Sequence, residues 1–484
     1  MKTMHFAVAL ISLNLANLRA QPTNEIGMLQ RQLKEATENF EKTVQQHRQV
    51  IDALHKKLDA LQQQAPGTNN VVQRVQATNG AASVQPAVLA AQAQDRTSDS
   101  AAPSWSPSQP ITLLRSGPAY MNISFDALLD AGWSTRSDVS TELEQGHHDP
   151  LQRGFSLRNA EIALDGAVDP YFKGFANITF ALDKDQQTEV ELEEAYLLST
   201  VLPANLQIKA GQFFSEFGRQ NPQHPHQWAF VDQPLALTRF LGPDGLRNPG
   251  GQLSWLAPTP FYLETFLGVF NGQGDQAFSF RNRGDNGLFF GRETLDRHLR
   301  GPGDLLFVPR IAASVDLTPQ QTLLAGASAA FGPNDTGADS RAQIYGLDLY
   351  WKWKSPYAHA GFPFVSFQTE ALYRRFEAGR GLNDLPLETL GDYGFYSQVL
   401  WGIKPRWVAG VRGEYLNGDK DPYDAGDRFR GERTRVSPDL TWYPSEFSKL
   451  RLQYNYDRGE NFGVEHSVWL QLEFLLGSHG AHKF

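Results

Sequence analysis

From Tyr120 to Leu476 the chain alternates apolar and polar residues with a period of two, and this pattern limits its possible folds more than any other feature. In "FKGFANITFALD", Phe172, Ala176, Ile178, Phe180 and Leu182 share one face, while Lys173, Asn177, Thr179 and Asp183 share the other. "IYGLDLYWKWK" sets Tyr345, Leu347, Leu349, Trp351 and Trp353 against Gly346, Asp348, Tyr350, Lys352 and Lys354. "RLQYNYDR" sets Leu452, Tyr454 and Tyr456 against Arg451, Gln453, Asn455 and Asp457. An apolar face opposite a strongly polar one suits strands with lipid on one side and water on the other. A soluble sandwich would have to carry charge on one face of every strand without ever building a second core.

The alternation predicts sixteen strands, near 119–131, 152–166, 171–182, 189–199, 205–214, 250–257, 260–270, 305–317, 321–332, 341–354, 361–376, 391–403, 406–416, 432–443, 448–458 and 466–476. Short turns such as "AVDP", "APTP", "LTPQ" and "KPR" alternate with longer polar loops, among them 215–249, 271–304, 377–390 and 417–431. Short turns at one end, long loops at the other and an even count are expected of an outer-membrane barrel with both termini in the periplasm. Aromatics near strand ends, Tyr350, Trp351, Trp353, Trp407, Trp442 and Tyr443, are expected at the lipid headgroups. The expected fold is all-β, a transmembrane antiparallel β-barrel of about 16 strands, preceded by an N-terminal α-helical coiled coil.

The residues before the barrel follow other rules. Residues 1–20 carry Lys2, a broken apolar run from Phe6 to Leu18 and Ala20, the pattern of a secretory signal peptide. Within 25–64 the apolar residues step by three and four, through Ile26, Leu29, Leu33, Ala36, Phe40, Val44, Ile51, Leu54, Leu58 and Leu61, as in a coiled coil with a stutter near Phe40. Residues 65–118 are rich in Ala, Gln, Ser, Asn and Pro and read as a disordered linker. The chain of 484 residues has no cysteine, which excludes thiolate metal sites and disulfides. The barrel domain is expected over 119–484, in the outer membrane of a Gram-negative bacterium, in contact with its lipid. The periplasmic stalk is expected to trimerise or to reach the cell wall, and no nucleic-acid partner is expected of a chain with net charge −9.

A barrel of this size has a lumen too wide for its own side chains to fill, so it is expected to pass water and solutes. Strand phase turns Lys173, Arg310, Lys352, Arg374, Arg412, Arg433, Arg435 and Arg451 inward, together with Glu264, Asp316, Asp348, Glu370, Glu414, Asp439, Asp457 and Glu473. Interleaved signs of this kind set up a transverse field more readily than a one-sign funnel. Loop 215–249, with Trp228, Phe230 and Phe240, is expected to fold into the lumen, where Arg219, Arg239, Asp244 and Arg247 are constriction candidates. No nucleophile elbow or Ser/His/acid constellation is present, so an enzyme is not expected, and no cofactor is called for. His224 with His226, and His479 with His482, have spacings that could share a metal, although the sequence places no third ligand beside either pair. The ending "GSHGAHKF" is similar to that of some barrel proteins described as zinc-regulated receptors.

The runs "ELEEAYLL", Glu191 to Leu198, and "LQIKAGQFFSEFG", Leu206 to Gly218, resemble the central motif of the phosphate-selective porin O and P family. "FSLRNAEIALDG", Phe155 to Gly166, resembles that family's early strand, and the likeness covers roughly 119–476. It implies a homotrimeric sixteen-stranded porin whose lumenal lysines and arginines attract phosphate or larger anions. Lys209 and Arg158 lie on motif strands where the family tends to carry basic residues. Phe214 stands where a lysine is common and Glu216 where a proline is common, so the sign of selectivity stays open. The function expected is passive diffusion of small hydrophilic solutes or ions; the alternative is a metal-linked receptor or channel. The last strand is expected to turn Val468, Leu470, Leu472 and Phe474 to lipid, with Phe484 presented to the insertion machinery.

Overall fold

The structure, a computed structural model, describes residues 110–477 apart from 144, 282–286, 421 and 425–429. The expected signal peptide, the coiled coil, most of the linker, His479, His482 and Phe484 lie outside the described residues. The described chain is an antiparallel barrel of sixteen strands. In chain order these are β1 (Ala119–Ser134), β2 (Gly154–Ala167), β3 (Phe172–Leu182), β4 (Thr188–Ser199), β5 (Leu206–Phe214), β6 (Arg247–Leu256), β7 (Tyr262–Phe270) and β8 (Leu306–Thr318). They continue with β9 (Gln321–Pro333), β10 (Arg341–His359), β11 (Phe362–Ala378), β12 (Glu388–Lys404), β13 (Trp407–Gly418), β14 (Arg433–Ser445), β15 (Ser448–Gly459) and β16 (Gly463–Leu476). Each strand pairs with its neighbours in sequence, and β16 closes on β1 from Ser467 opposite Ser134 to Leu476 opposite Phe125. Closure leaves no long open edge, which a sheet in lipid cannot tolerate. Among the described residues no helix is long and apolar enough to cross a membrane.

The two faces behave as the alternation requires. On β16, Val468, Leu470, Leu472 and Phe474 are 43–50% exposed on the outside, while Trp469 and Gln471 between them are buried. Tyr350 departs from the expected headgroup belt: it faces the lumen, with the Arg219 guanidinium 4.1 Å above its ring. Its strand phase, shared with Asp348 and Lys352, outweighs its aromatic character. Trp407 and Trp442 do stack on each other across β13 and β14.

One strand lies within the stretch read as linker. Ile111–Ser116 pairs antiparallel with Ala119–Ile123 on β1, the part of β1 that β16 does not reach. The backbone groups left over at the seam are thereby paired.

The lumen holds an apolar core at the long-loop end of the barrel. Leu306, Ile344, Leu372, Phe376, Leu390 and Leu416 point inward from five strands and pack with Phe217, Leu235, Phe240, Phe280 and Phe290 from the loops. A purely polar lumen wall does not occur here, because the loops that enter the barrel bring their own apolar side chains.

Candidate functional site

The segment 215–246 between β5 and β6 lies inside the barrel. Phe217, Phe230, Val231, Leu235, Leu237, Phe240 and Leu246 on it are at most 1% exposed. Burial of each large apolar side chain contributes about 1.5–3 kcal/mol, enough to hold a loop that would be wet outside. Its one α-helical turn pair, Leu235–Leu241, starts after Pro234 and stops at Gly242, whose φ of 109° suits glycine.

A loop crossing a lumen has no sheet to satisfy its backbone, so the wall must do so with side chains. Arg451 donates to the carbonyls of Trp228 (2.8 Å) and Phe230 (2.9 Å), and Arg412 to that of Asp232 (2.9 Å). Lys449 donates to His226 O (2.7 Å) and Arg374 to Arg239 O (3.2 Å). In the other direction, the loop N–H groups of Gly218, Gln220, Val231 and Leu235 donate to Ser328, Glu370, Gln453 and Glu414, at 2.7–3.0 Å. Arg374, Arg412, Arg435, Arg451, Glu370 and Glu414, among the charges that strand phase turned inward, therefore bind the loop.

Their ion pairs are close and dry. Arg310 meets Asp348 at 2.6 Å, Arg374 meets Asp392 at 2.5 Å, and Arg433 and Arg435 share Asp457 at 2.6 and 2.8 Å. Asp232 of the loop sits between Arg412 and Arg435. Asp439 is buried beside Thr441, and Glu473 pairs with Lys449. Arg158 is buried, donating to His147 O and Leu182 O. In the loop, Arg239 donates to Gly431 O at 3.2 Å, and Arg247 pairs with Asp244 and with Glu191. Charges that keep access to solvent on the lumen side lie towards the short-turn end: Lys173, Lys209, Arg219 and Lys352 against Glu216, Glu264 and Asp316.

A second arrangement fills the wall between β1 and β5. His224 has Nδ1 2.9 Å from Glu193 and 3.6 Å from Glu161, while its Nε2 lies 2.9 Å from Glu194. His226 has Nδ1 3.7 Å from Glu161. Thus the histidine pair meets three carboxylates from β2 and β4 that sequence spacing does not place beside it. The loop after β1 adds His148, with Nε2 3.3 Å from Asp244 and 3.5 Å from Glu193. Burial would lower the pKa of His148, but the facing carboxylates of Asp244 and Glu193 push it up to about 10, which favours the imidazolium. Its neighbour His147 is held down to about 4 by burial and by the charge of His148.

A β-bulge explains why Glu193 and Glu194 are invisible to simple alternation. The register shifts where Asn177 pairs with Glu194 and Ile178 with Leu192, so that Glu193 and Glu194 both turn inward, 0% and 5% exposed. A second shift, between Leu128 and Leu129 of β1, does the same for Arg158 and Asn159 on β2. Asp126 and Glu161 carried a readable signal, since each is an acid on the inward phase of its strand.

No protein-family model matches the chain. In structure it is similar to the outer membrane channel DcaP of Acinetobacter baumannii, with a TM-score of 0.51 and 12% identity over 75% of this chain and 99% of that one. It is also similar to an anion-selective porin from Comamonas acidovorans, with a TM-score of 0.48 and 7% identity over 74% of this chain and 100% of that one. The first of these likenesses shows that the chain shares the barrel fold of that protein. An uncharacterized protein of Aquifex aeolicus is 34% identical over 394 residues, 74% of this chain and 79% of that protein. The chain belongs to the family of that Aquifex aeolicus protein.

Proposed function

We propose that this protein is an outer-membrane porin of a Gram-negative bacterium, a channel for passive diffusion of small hydrophilic solutes or ions whose bore is set by loop 215–246. The observation that carries this reading is the loop held inside a closed sixteen-stranded barrel by wall side chains. A loop fixed in this way narrows a passage, and its exposed flank, with Arg219 beside Tyr350, meets the solvent-accessible charges of the lumen. The preference proposed is for anions such as phosphate, drawn by Lys173, Lys209, Arg219 and Lys352, with Glu216, Glu264 and Asp316 limiting its strength. The fold shared with DcaP supports the channel class. A homotrimer is proposed as well; a groove of about 510 Å³ on the outer face of β6–β9, lined by Leu253, Trp255, Leu267, Ile311 and Ala327, offers a second barrel a place to pack.

Single-channel recording of the folded chain in a planar bilayer tests both parts. The expected result is discrete conductance steps, with a reversal potential of anion sign in a salt gradient. Absence of any conductance would overturn the channel, and a reversal potential of cation sign would overturn the anion preference alone. Chemical cross-linking in detergent tests the trimer, which a ladder ending at the monomer would exclude.

A further inference from the structure

The histidine and carboxylate cluster inside β1–β4 brings together buried acceptor atoms, two of which, on Asn177 and Asp126, meet no donor. Glu161 and Glu193 are 0% exposed, His224 2% and His226 7%. Asn177, also fully buried, turns its amide nitrogen to Glu193 Oε2 (2.6 Å), Glu161 Oε2 (3.0 Å) and His224 Nδ1 (3.1 Å), three acceptors for two hydrogens. Its own Oδ1 has no donor. Nitrogen and oxygen of an amide exchange places by a simple flip, and the flipped Asn177 would add a further acceptor to the same point. Asp126 Oδ2, on a residue 0% exposed, has no donor either, and Asp126 groups with Glu161 and His226 with ligand atoms within 4.8 Å of one another. Convergent buried acceptors need a positive centre.

The nearest cationic groups are engaged at the edge of the cluster, Lys449 with Glu473 and His226 O, Lys209 with Glu194, and His148 with Asp244 and the other oxygen of Glu193. The spacings fit a metal ion. Bonds of 2.0–2.2 Å in tetrahedral array separate ligand atoms by about 3.4 Å. Here Glu161 Oε2 lies 3.6 Å from His224 Nδ1 and 3.7 Å from His226 Nδ1, and Glu193 Oε2 lies 2.9 Å from His224 Nδ1. The outer contacts are those that orient metal ligands: His224 Nε2 is placed to donate to Glu194 at 2.9 Å, leaving Nδ1 as a ligand, and Asn159 donates to Glu161 Oε1 at 2.7 Å. We propose that Glu161, Glu193 and His224, whose ligand atoms lie within 4.8 Å of one another, bind one divalent transition-metal ion of the zinc class, with Asn177 beside it and with Asp126 and His226 grouped on Glu161 next to it. An imidazole with two carboxylates favours zinc or cobalt over magnesium or calcium, which take oxygen ligands. Such an ion ties the loop residue His224 to β2 and β4, and the proposal stands apart from the channel reading because its test does not use conductance.

The full chain, folded in detergent and stripped with EDTA, is titrated with Zn²⁺ by calorimetry and its metal content measured. One Zn²⁺ per chain is expected, unaffected by excess Mg²⁺ and retained in a His479→Ala, His482→Ala chain. A Glu161→Gln, His224→Gln chain is expected to bind at least about 100-fold more weakly. The proposal is overturned if the folded native chain takes up no Zn²⁺, or if uptake disappears with the tail histidines and persists in the Glu161→Gln, His224→Gln chain. Heat-modifiable migration reports whether that variant folds. If it does not, Co²⁺ added to the native chain decides: intense visible bands of four-coordinate cobalt support the site, and pale six-coordinate bands or none reject it.

Discussion

Glu414 shows how one lumen residue serves two partners: it accepts the Leu235 N–H at 2.7 Å and the Arg412 guanidinium at 2.8 Å. Glu414→Ala removes both bonds and leaves a buried arginine with one counter-charge fewer, at a cost of about 3–5 kcal/mol. A lower urea midpoint for loss of the folded band on a gel, together with faster proteolysis within 215–246, is the expected outcome. An unchanged midpoint would mean that Glu414 does not hold the loop. Gly218 is a second sensitive position. Its φ is +62°, and a Cβ there would run into the Glu370 carboxylate, itself fixed by Gln220 N and the Tyr396 hydroxyl. Gly218→Ala is accordingly expected to displace the loop entry, seen as proteolysis at the 215–220 segment that the native chain resists.

As an element, the loop is a small domain core turned inside out. Phe240 is 0% exposed and packs under Arg374, in the apolar cluster that also holds Leu416 and Phe376. Phe240→Ala is expected to destabilise the folded state by about 3–5 kcal/mol through the cavity it leaves, measured as a drop in the unfolding midpoint. Replacing residues 216–245 by a short Gly-Ser linker removes the obstruction without touching a strand pair. The barrel is expected to keep its heat-modifiable migration, while single-channel conductance rises severalfold. Equal conductance in the two chains would show that the loop does not set the bore.

At the scale of the whole molecule, stability rests on an unbroken ring of strand pairs and on keeping the two faces apart. The closing strand makes the point, since Leu470 is 45% exposed outside and Gln471 is buried beside Arg451. Leu470→Arg places a charge against lipid and is expected to cost about 2–4 kcal/mol in refolding into vesicles, if Leu470 lies near the bilayer midplane. Leu470→Phe, which keeps the face apolar, is the matched control and is expected to refold as the native chain does.

The sixteen strands were legible because period-two alternation is a local property, set by the opposite direction of successive side chains. The same phase placed Arg310, Asp348, Arg374, Arg412 and Arg451 in the lumen before any contact was known. It could not say what they would hold there, because the carbonyls of Trp228, Phe230 and Asp232 approach from a loop two hundred residues away in sequence. The histidine cluster was hidden for the same reason and for one more. A bulge adds a residue without changing the composition of a strand, so Glu193 and Glu194 read as opposite faces yet both point inward. Sequence alone determined the barrel and its two faces, since these follow from each residue and its near neighbours. Tertiary structure decided which inward groups meet, since closing the ring and docking the loop join residues that no local pattern connects.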